Sequence, residues 1–148
     1  MSRRVLRGFQ PAQLVRLREQ AGISRTDAAR LARIGKRTIE NWEIGAVSPQ
    51  IDLLRQLTNV LGGTIGDVVH VPAEGRFPGD WRVLRALTQP ELGRLVGLST
   101  STVGAVERGE MSLTDTTAKV IAQALEMPVD EYRAAYERAR SRPPGTPA

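Results

Sequence analysis

The sequence contains an internal repeat, and this repeat constrains the fold more than any other feature. When the chain is shifted against itself by 64 positions, residues 23–45 align without a gap on residues 87–109. The match continues as far as Leu61 and Leu125, and most mismatches exchange one apolar residue for another. A segment that recurs at a fixed spacing is one structural unit used twice. The 148-residue chain is therefore predicted to hold two similar domains of about 60 residues each.

Each repeat predicts two short helices joined by a tight turn. Ser24 is followed three residues later by Asp27, and Thr88 is followed in the same way by Glu91. A hydroxyl and a carboxylate at this spacing are typical of a capping box at the start of a helix. In the first repeat only residues 33–35 separate this helix from the next helical pattern. Two helices joined by about three residues form a helix-turn-helix arrangement.

A first and a fourth helix are predicted on either side of this motif. The first helix of the first repeat covers residues 11–21, and Ser48 with Pro49 is expected to begin the fourth. In the second repeat Ser112 takes that place, and the first helix is expected to be shortened to residues 80–86 by a preceding Pro-Gly pair. The apolar side chains expected to close the two cores are Leu53, Leu54, Leu57 and Leu61, and Val120, Ile121, Ala124 and Leu125.

Composition excludes several classes of protein. The chain has no cysteine, so disulfide scaffolds and thiolate metal sites are ruled out. It has six aromatic residues, too few for a base-stacking platform; Trp42 falls on an apolar position and is expected to be core, and Trp81 is expected to pack under the short first helix. His70 stands alone, and no catalytic motif or phosphate-binding glycine loop is present. The sequence predicts no enzymatic activity, no metal and no cofactor.

The basic excess lies in the first half of the chain. Residues 1–70 hold 11 Lys or Arg and six Asp or Glu, whereas residues 71–137 hold seven and ten. A polyanion is therefore expected to meet the first half. No apolar run is long enough for a membrane span, and no apolar stretch of an export signal follows Arg3 and Arg4. The expected location is the cytoplasm, at the nucleoid, without membrane contact.

One family resemblance fits both repeats. The stretch TQPELGRLVGLSTSTVGAVERG, residues 88–109, resembles the helix-turn-helix of the Cro and phage-repressor family, and residues 23–45 are a looser copy. The resemblance implies an all-α protein with two tandem lambda-repressor-like helix-turn-helix bundles and a short linker. It also implies that a first-helix arginine pairs with the glutamate that ends the recognition helix. The matching residues stand 25 positions apart in both repeats: Arg18 with Glu43, and Arg82 with Glu107.

These patterns predict five segments along the chain. They are a basic N-terminal arm (1–8), a first helix-turn-helix domain (9–70), a linker (71–79), a second helix-turn-helix domain (80–137) and a disordered tail (138–148).

The resemblance assigns DNA-contacting positions to the first repeat. Lys36, Arg37 and Asn41 match the base-contacting positions of the recognition helix, and their donors suit guanine or adenine edges in the major groove. The residues expected to contact phosphate are Ser24, Arg25, Thr38, Arg3 and Arg4; Arg25 stands where the family more usually has glutamine. The alternative is a solvated basic helix face in which Lys36 pairs with Glu40.

The second repeat is uncharged at the matching positions. Thr100 and Ser101 stand there with Ala105, and Thr102 follows as a further hydroxyl. Hydroxyls reach phosphate or a base edge, but they release no counterions on binding. Two interpretations stay open: a weaker second DNA site at Thr100, Ser101 and Thr102, or a module for packing, homodimerisation or a protein partner.

The function predicted is that of a sequence-specific regulator of transcription that binds double-stranded DNA, a repressor that occupies a promoter. One alternative is a helix-turn-helix antitoxin whose second domain binds a protein partner. Another is an enzyme with an appended DNA-binding module, for which the sequence offers no catalytic residues.

Overall fold

The computed structural model describes residues 5–148, and this part of the chain is helical. It contains nine α-helices and no strand; a single bridge joins Phe9 and Val69. The chain divides into two compact units, with the boundary between His70 and Val71. The prediction of an all-α fold with two helix-turn-helix bundles is confirmed. None of the helices in the described region has the length and apolar character needed to cross a membrane.

The first unit contains four helices and a final 3-10 turn. They are α1 (Pro11–Gln20), α2 (Arg25–Ala32), α3 (Lys36–Glu43), α4 (Ile51–Val60) and the turn Ile65–Asp67. The Ser24 hydroxyl caps α2 by accepting the Asp27 N–H at 3.1 Å. Helix α2 then ends at Arg33 in the left-handed region, with φ of 58°. The matching residue of the second repeat is Gly97, which adopts this conformation at lower cost.

Hydrogen bonds join the N-terminal residues of the first unit to its interior and to its last residue. The Leu6 N–H donates to Ser48 Oγ at 2.7 Å, and the His70 N–H donates to the Gly8 carbonyl at 2.9 Å. The predicted arm 1–8 is thus corrected from Leu6 onward, because these residues bond to the folded unit. Because the Ser48 hydroxyl accepts the Leu6 N–H, it does not begin the fourth helix. Helix α4 starts three residues later than expected. Arg3 and Arg4 lie outside the described residues.

The second unit contains five helices, one more than the repeat predicts. They are α5 (Pro78–Leu84), α6 (Gln89–Val96), α7 (Thr100–Glu107), α8 (Asp115–Ala124) and α9 (Val129–Arg140). Helix α6 has the predicted capping box, with Thr88 and Glu91 each accepting the other's backbone N–H. Helix α8 is capped by the Thr114 hydroxyl and therefore starts after Ser112.

The start of the second unit differs from the prediction. Helix α5 begins at Pro78 and not at Asp80, because proline is favourable at the first helical position. The Asp80 carboxylate secures this start by accepting the Phe77 N–H at 2.8 Å. Val71 is also buried, so the predicted linker 71–79 is folded at both its ends. Trp81 packs against the core of the unit, as expected.

Helix α9 corrects the predicted disordered tail. It continues to Arg140, and Tyr132, Tyr136 and Ala139 on its inner face are buried. Gly109 allows this packing: a Cβ atom there would lie 2.6 Å from the Arg140 Cα. The buried face of α9 fills part of the core expected from α8 alone, where Val120 is instead 40% exposed.

Each unit has a buried ion pair between its first and third helices. Arg18 Nε lies 2.9 Å from Glu43 Oε1, and Arg82 Nε lies 2.6 Å from Glu107 Oε2. The glutamate side chains are only 1% and 6% exposed. Each arginine also donates to a backbone carbonyl five residues further along the chain. A buried carboxylate held in this way is costly to leave without its partner.

We expect Glu43→Ala to lower the free energy of unfolding of the first unit by about 3–5 kcal/mol, because two arginines lose their buried counter-ion. Urea unfolding followed by Trp42 fluorescence in a Trp81→Phe background measures this. The matched control is Asp27→Ala, which removes an exposed pair with Arg30 and should cost less than about 1 kcal/mol. Equal losses in the two variants would contradict the structural role of Glu43.

The Tyr132 hydroxyl makes the second unit sensitive to alkaline pH. Burial raises the pKa of Tyr132 well above its usual value, and the nearby Glu107 carboxylate raises this pKa further, with Arg82 opposing. The folded state therefore keeps the neutral phenol. The part of the stability that depends on this neutral phenol is fully present below the unfolded pKa of about 10. It is lost as the pH rises above that value.

Between pH 9 and pH 11 we expect the free energy of unfolding of the second unit to fall by about 1.4 kcal/mol through Tyr132 alone. Tyr132→Phe should remove this part of the pH dependence. Trp81 fluorescence in a Trp42→Phe background follows the second unit. The first unit, which contains no tyrosine, is the control, and Trp42 fluorescence in a Trp81→Phe background follows it. The prediction fails if Tyr132→Phe and the parent lose stability in parallel.

Candidate nucleic-acid interface

Helix α3 has one buried face and one exposed basic face. Ile39, Trp42 and Glu43 are buried against the rest of the unit, with Trp42 only 2% exposed. Lys36 and Arg37, at the N-terminal end, are exposed. A turn of only three residues joins α2 to this exposed end of α3, which is the helix-turn-helix arrangement.

The three predicted base-contacting residues lie on the outer side of α3. Arg37 and Asn41 are one helical turn apart, so they share a face. Asn41 is half-buried, as is Thr38. Among the described residues Lys36 forms no ion pair with Glu40 and is exposed. These donors can be presented together to base edges in a major groove.

The start of α2 carries an arginine positioned by the buried carboxylate. Arg25 Nε lies 3.1 Å from Glu43 Oε1, and the arginine side chain is 44% exposed. Glu43 therefore binds Arg18 on its inner side and Arg25 on its outer side. The Arg25 contact uses Nε alone. The terminal Nη groups are left for an anion at a helix N-terminus, where the backbone N–H groups also favour negative charge.

The second unit has the same framework with different chemistry. Gln89 Nε2 donates to Glu107 Oε1 at 2.8 Å, in the place that Arg25 takes in the first unit. On α7, Thr100 and Ser101 are exposed, whereas the Thr102 hydroxyl accepts a hydrogen bond from the cap residue Ser99. Of the predicted second site, Thr100 and Ser101 have the more accessible hydroxyls.

One cation near this surface was not predicted from the sequence. Arg108, the residue after α7, folds back along the helix: a Cβ atom on Gly104 would lie 2.9 Å from Arg108 Nη1. The same point is 3.6 Å from Gln89 Nε2, at the start of α6. The only signal in the sequence is the glycine one turn before the arginine.

The fold and this surface define the class of the protein: an all-α protein with two helix-turn-helix motifs. A family described as "Helix-turn-helix domain" matches residues 12–70, and one described as "Helix-turn-helix" matches residues 80–132. The chain belongs to the helix-turn-helix proteins, and its second domain is of the Cro and phage-repressor type. It is a DNA-binding regulator. Comparison with curated proteins and with solved structures gave no match.

We expect Arg25→Gln to weaken DNA binding without weakening the fold, because the glutamine can bond to Glu43 as Gln89 bonds to Glu107. The loss of one phosphate contact should flatten the slope of log Kd against log salt concentration by about 0.9. Specific and scrambled duplexes should be affected alike. Fluorescence anisotropy across a salt series, with the melting temperature as a control for folding, provides the measurement. An unchanged slope would remove Arg25 from the interface.

Proposed function

We propose that this protein is a sequence-specific regulator of transcription, a repressor that occupies promoter DNA through its first unit. The observation that supports this is the outer face of α3, where Lys36, Arg37 and Asn41 lie beside the anchored Arg25. Side chains at the start of a recognition helix contact bases, and cations at the start of the preceding helix contact phosphate. The net positive charge of residues 1–70 favours the same half of the chain.

We further propose that the second unit plays a supporting role, as a weaker DNA contact or a dimerisation module. The protein then needs no catalytic activity and no cofactor, and it acts at the nucleoid in the cytoplasm. Occupancy of a promoter is enough for repression, since it blocks access by other proteins.

A protein partner of the second unit is the alternative, as in an antitoxin. A shallow apolar groove on this unit supports it, lined by Val96, Leu98, Thr116, Thr117, Val120 and Ile121. Leu95 beside it is 62% exposed. In the first repeat Gln56 and Asp52 stand where the second has Val120 and Thr116. A small protein that co-purifies with the chain and is released by Val120→Gln would favour this alternative.

The test of the proposal is selection of bound sequences from a pool of random duplexes with the full chain. A single enriched motif supports sequence-specific reading, and its half-site number and spacing report how many chains bind. An unenriched pool would contradict it. Transcription from a promoter that contains the motif should fall when the protein is added, and a rise would contradict repression.

In this selection, Arg37→Ala and Asn41→Ala should each cost about 1–3 kcal/mol of binding free energy and relax the preference at one or two base pairs. Both effects follow from the loss of a donor to a base edge. Arg30→Ala is the matched control, because Arg30 is exposed on α2 and pairs with Asp27. If Arg37→Ala kept both the affinity and the motif of the parent, α3 would not be the reading helix.

A further inference from the structure

The second unit is not acidic once α9 is counted with it. Residues 71–148 hold ten Lys or Arg and ten Asp or Glu, because Arg138, Arg140 and Arg142 belong to the folded unit. Arg138 Nη1 donates to the Arg76 carbonyl at 2.6 Å, which fixes the last turns of α9 on the unit. The second unit is therefore neutral overall, and its net charge does not oppose a contact with DNA.

Two guanidinium groups, those of Arg140 and Arg142, lie at the C-terminal end of α7, beside the backbone of Arg108. Arg140 Nη1 donates to the Gly109 carbonyl at 3.1 Å, and Arg142 Nη1 donates to the Arg108 carbonyl. Positive charge is favourable there because the last carbonyls of a helix are unpaired and carry partial negative charge. Arg140 Nη1 also donates to the Tyr136 hydroxyl, and Arg142 donates in addition to the Ala139 carbonyl through Nη1 and to the Thr146 carbonyl through Nε. Each guanidinium therefore keeps its Nη2 group outside these bonds. The first unit has no equivalent of α9.

The side chain of Arg108 extends from this cluster toward the start of α6. Thr100, Gly104 and Arg108 follow each other at intervals of four residues, so they form one row along α7. Gly104 has no side chain, and the Arg108 guanidinium occupies the space above it, near Gln89. The cation therefore lies between the exposed face of α7 and the N-terminus of α6.

Each unit has an arginine near the start of the second helix of its motif, but the two arginines come from different elements. In the first unit the charge comes from Arg25, the first residue of α2, which Glu43 holds in place. In the second unit the matching Gln89 is neutral, and Arg108 reaches the same region from the opposite helix. The first repeat has Glu40 and Ile44 where the second has Gly104 and Arg108, so it has neither the open space on the helix nor the arginine that fills it.

From these contacts we propose that the second unit binds the phosphodiester backbone of DNA through Arg108, Arg140 and Arg142, independently of base sequence. The site rests on the DNA-binding function proposed above and deepens it. Guanidinium groups suit phosphate because their N–H donors match its oxygens and their charge releases counterions. The uncharged Thr100 and Ser101 leave base readout to the first unit. Glu110, whose Oε2 lies 3.0 Å from Arg108 Nε, competes with phosphate for this arginine.

The test uses the full chain and two duplexes, the one selected from the random pool and a scrambled one. Arg108→Gln should flatten the slope of log Kd against log salt concentration by about 0.9 on both duplexes, and should leave the selected motif unchanged. Glu110→Gln should act in the opposite direction and tighten both complexes, because it frees Arg108. Lys119→Gln is the matched control: it removes one positive charge from the exposed side of α8 and should leave the slope unchanged.

Three results would overturn the inference. In the first, Arg108→Gln has the same slope of log Kd against log salt concentration as the parent, while Arg37→Ala still relaxes the motif. This result would leave the proposed function intact. The second is a loss of base preference in Arg108→Gln, which would make Arg108 a reading residue. The third is a shift of the monomer–dimer equilibrium in sedimentation with unchanged DNA binding, which would make this surface a contact between copies of the chain. If the parent showed neither a motif nor salt-dependent binding, the proposed function would fail as well.

Discussion

The buried carboxylate at the end of the recognition helix is the interaction on which each unit depends. Glu43 and Glu107 cannot be hydrated, so their charge must be balanced by groups held at fixed positions. Arg18 and Arg82 supply this balance, and each also bonds to a carbonyl in the turn after its own helix. One guanidinium thus joins the first helix, the following turn and the end of the recognition helix.

The same carboxylate also shapes the outer surface, because it accepts a further hydrogen bond from the first residue of the preceding helix. That residue is Arg25 in one unit and Gln89 in the other, and both reach their glutamate. The internal framework tolerates either side chain since each provides an N–H donor. The exposed charge is then free to differ between the units while the fold stays the same.

The sequence was enough to predict the framework but not its edges. Three features lie within each repeat and therefore occur twice. They are a serine or threonine cap, a turn that begins with arginine or glycine, and an Arg–Glu spacing of 25 residues. Helix α9 lies beyond the repeat, so no comparison between the halves could reveal that Tyr132 and Tyr136 complete a core. The sequence predicts the start of α5 two residues too late, because a Pro-Gly pair normally interrupts a helix. Proline is nevertheless favourable in the first turn of a helix, and α5 begins at Pro78.

The direction of the Arg108 side chain could not be predicted, because it depends on the space that Gly104 leaves beside α6 and on the contact with Glu110. Its position changes how the charges of the two halves should be compared. A net charge describes attraction at a distance, whereas a contact depends on where single cations lie. The first unit combines both, with its basic excess and the donors of α3. The second unit is neutral overall but holds Arg140 and Arg142 at the end of α7 and the Arg108 guanidinium above Gly104. In our proposal these cations strengthen a complex that the first unit forms with its base-contacting residues.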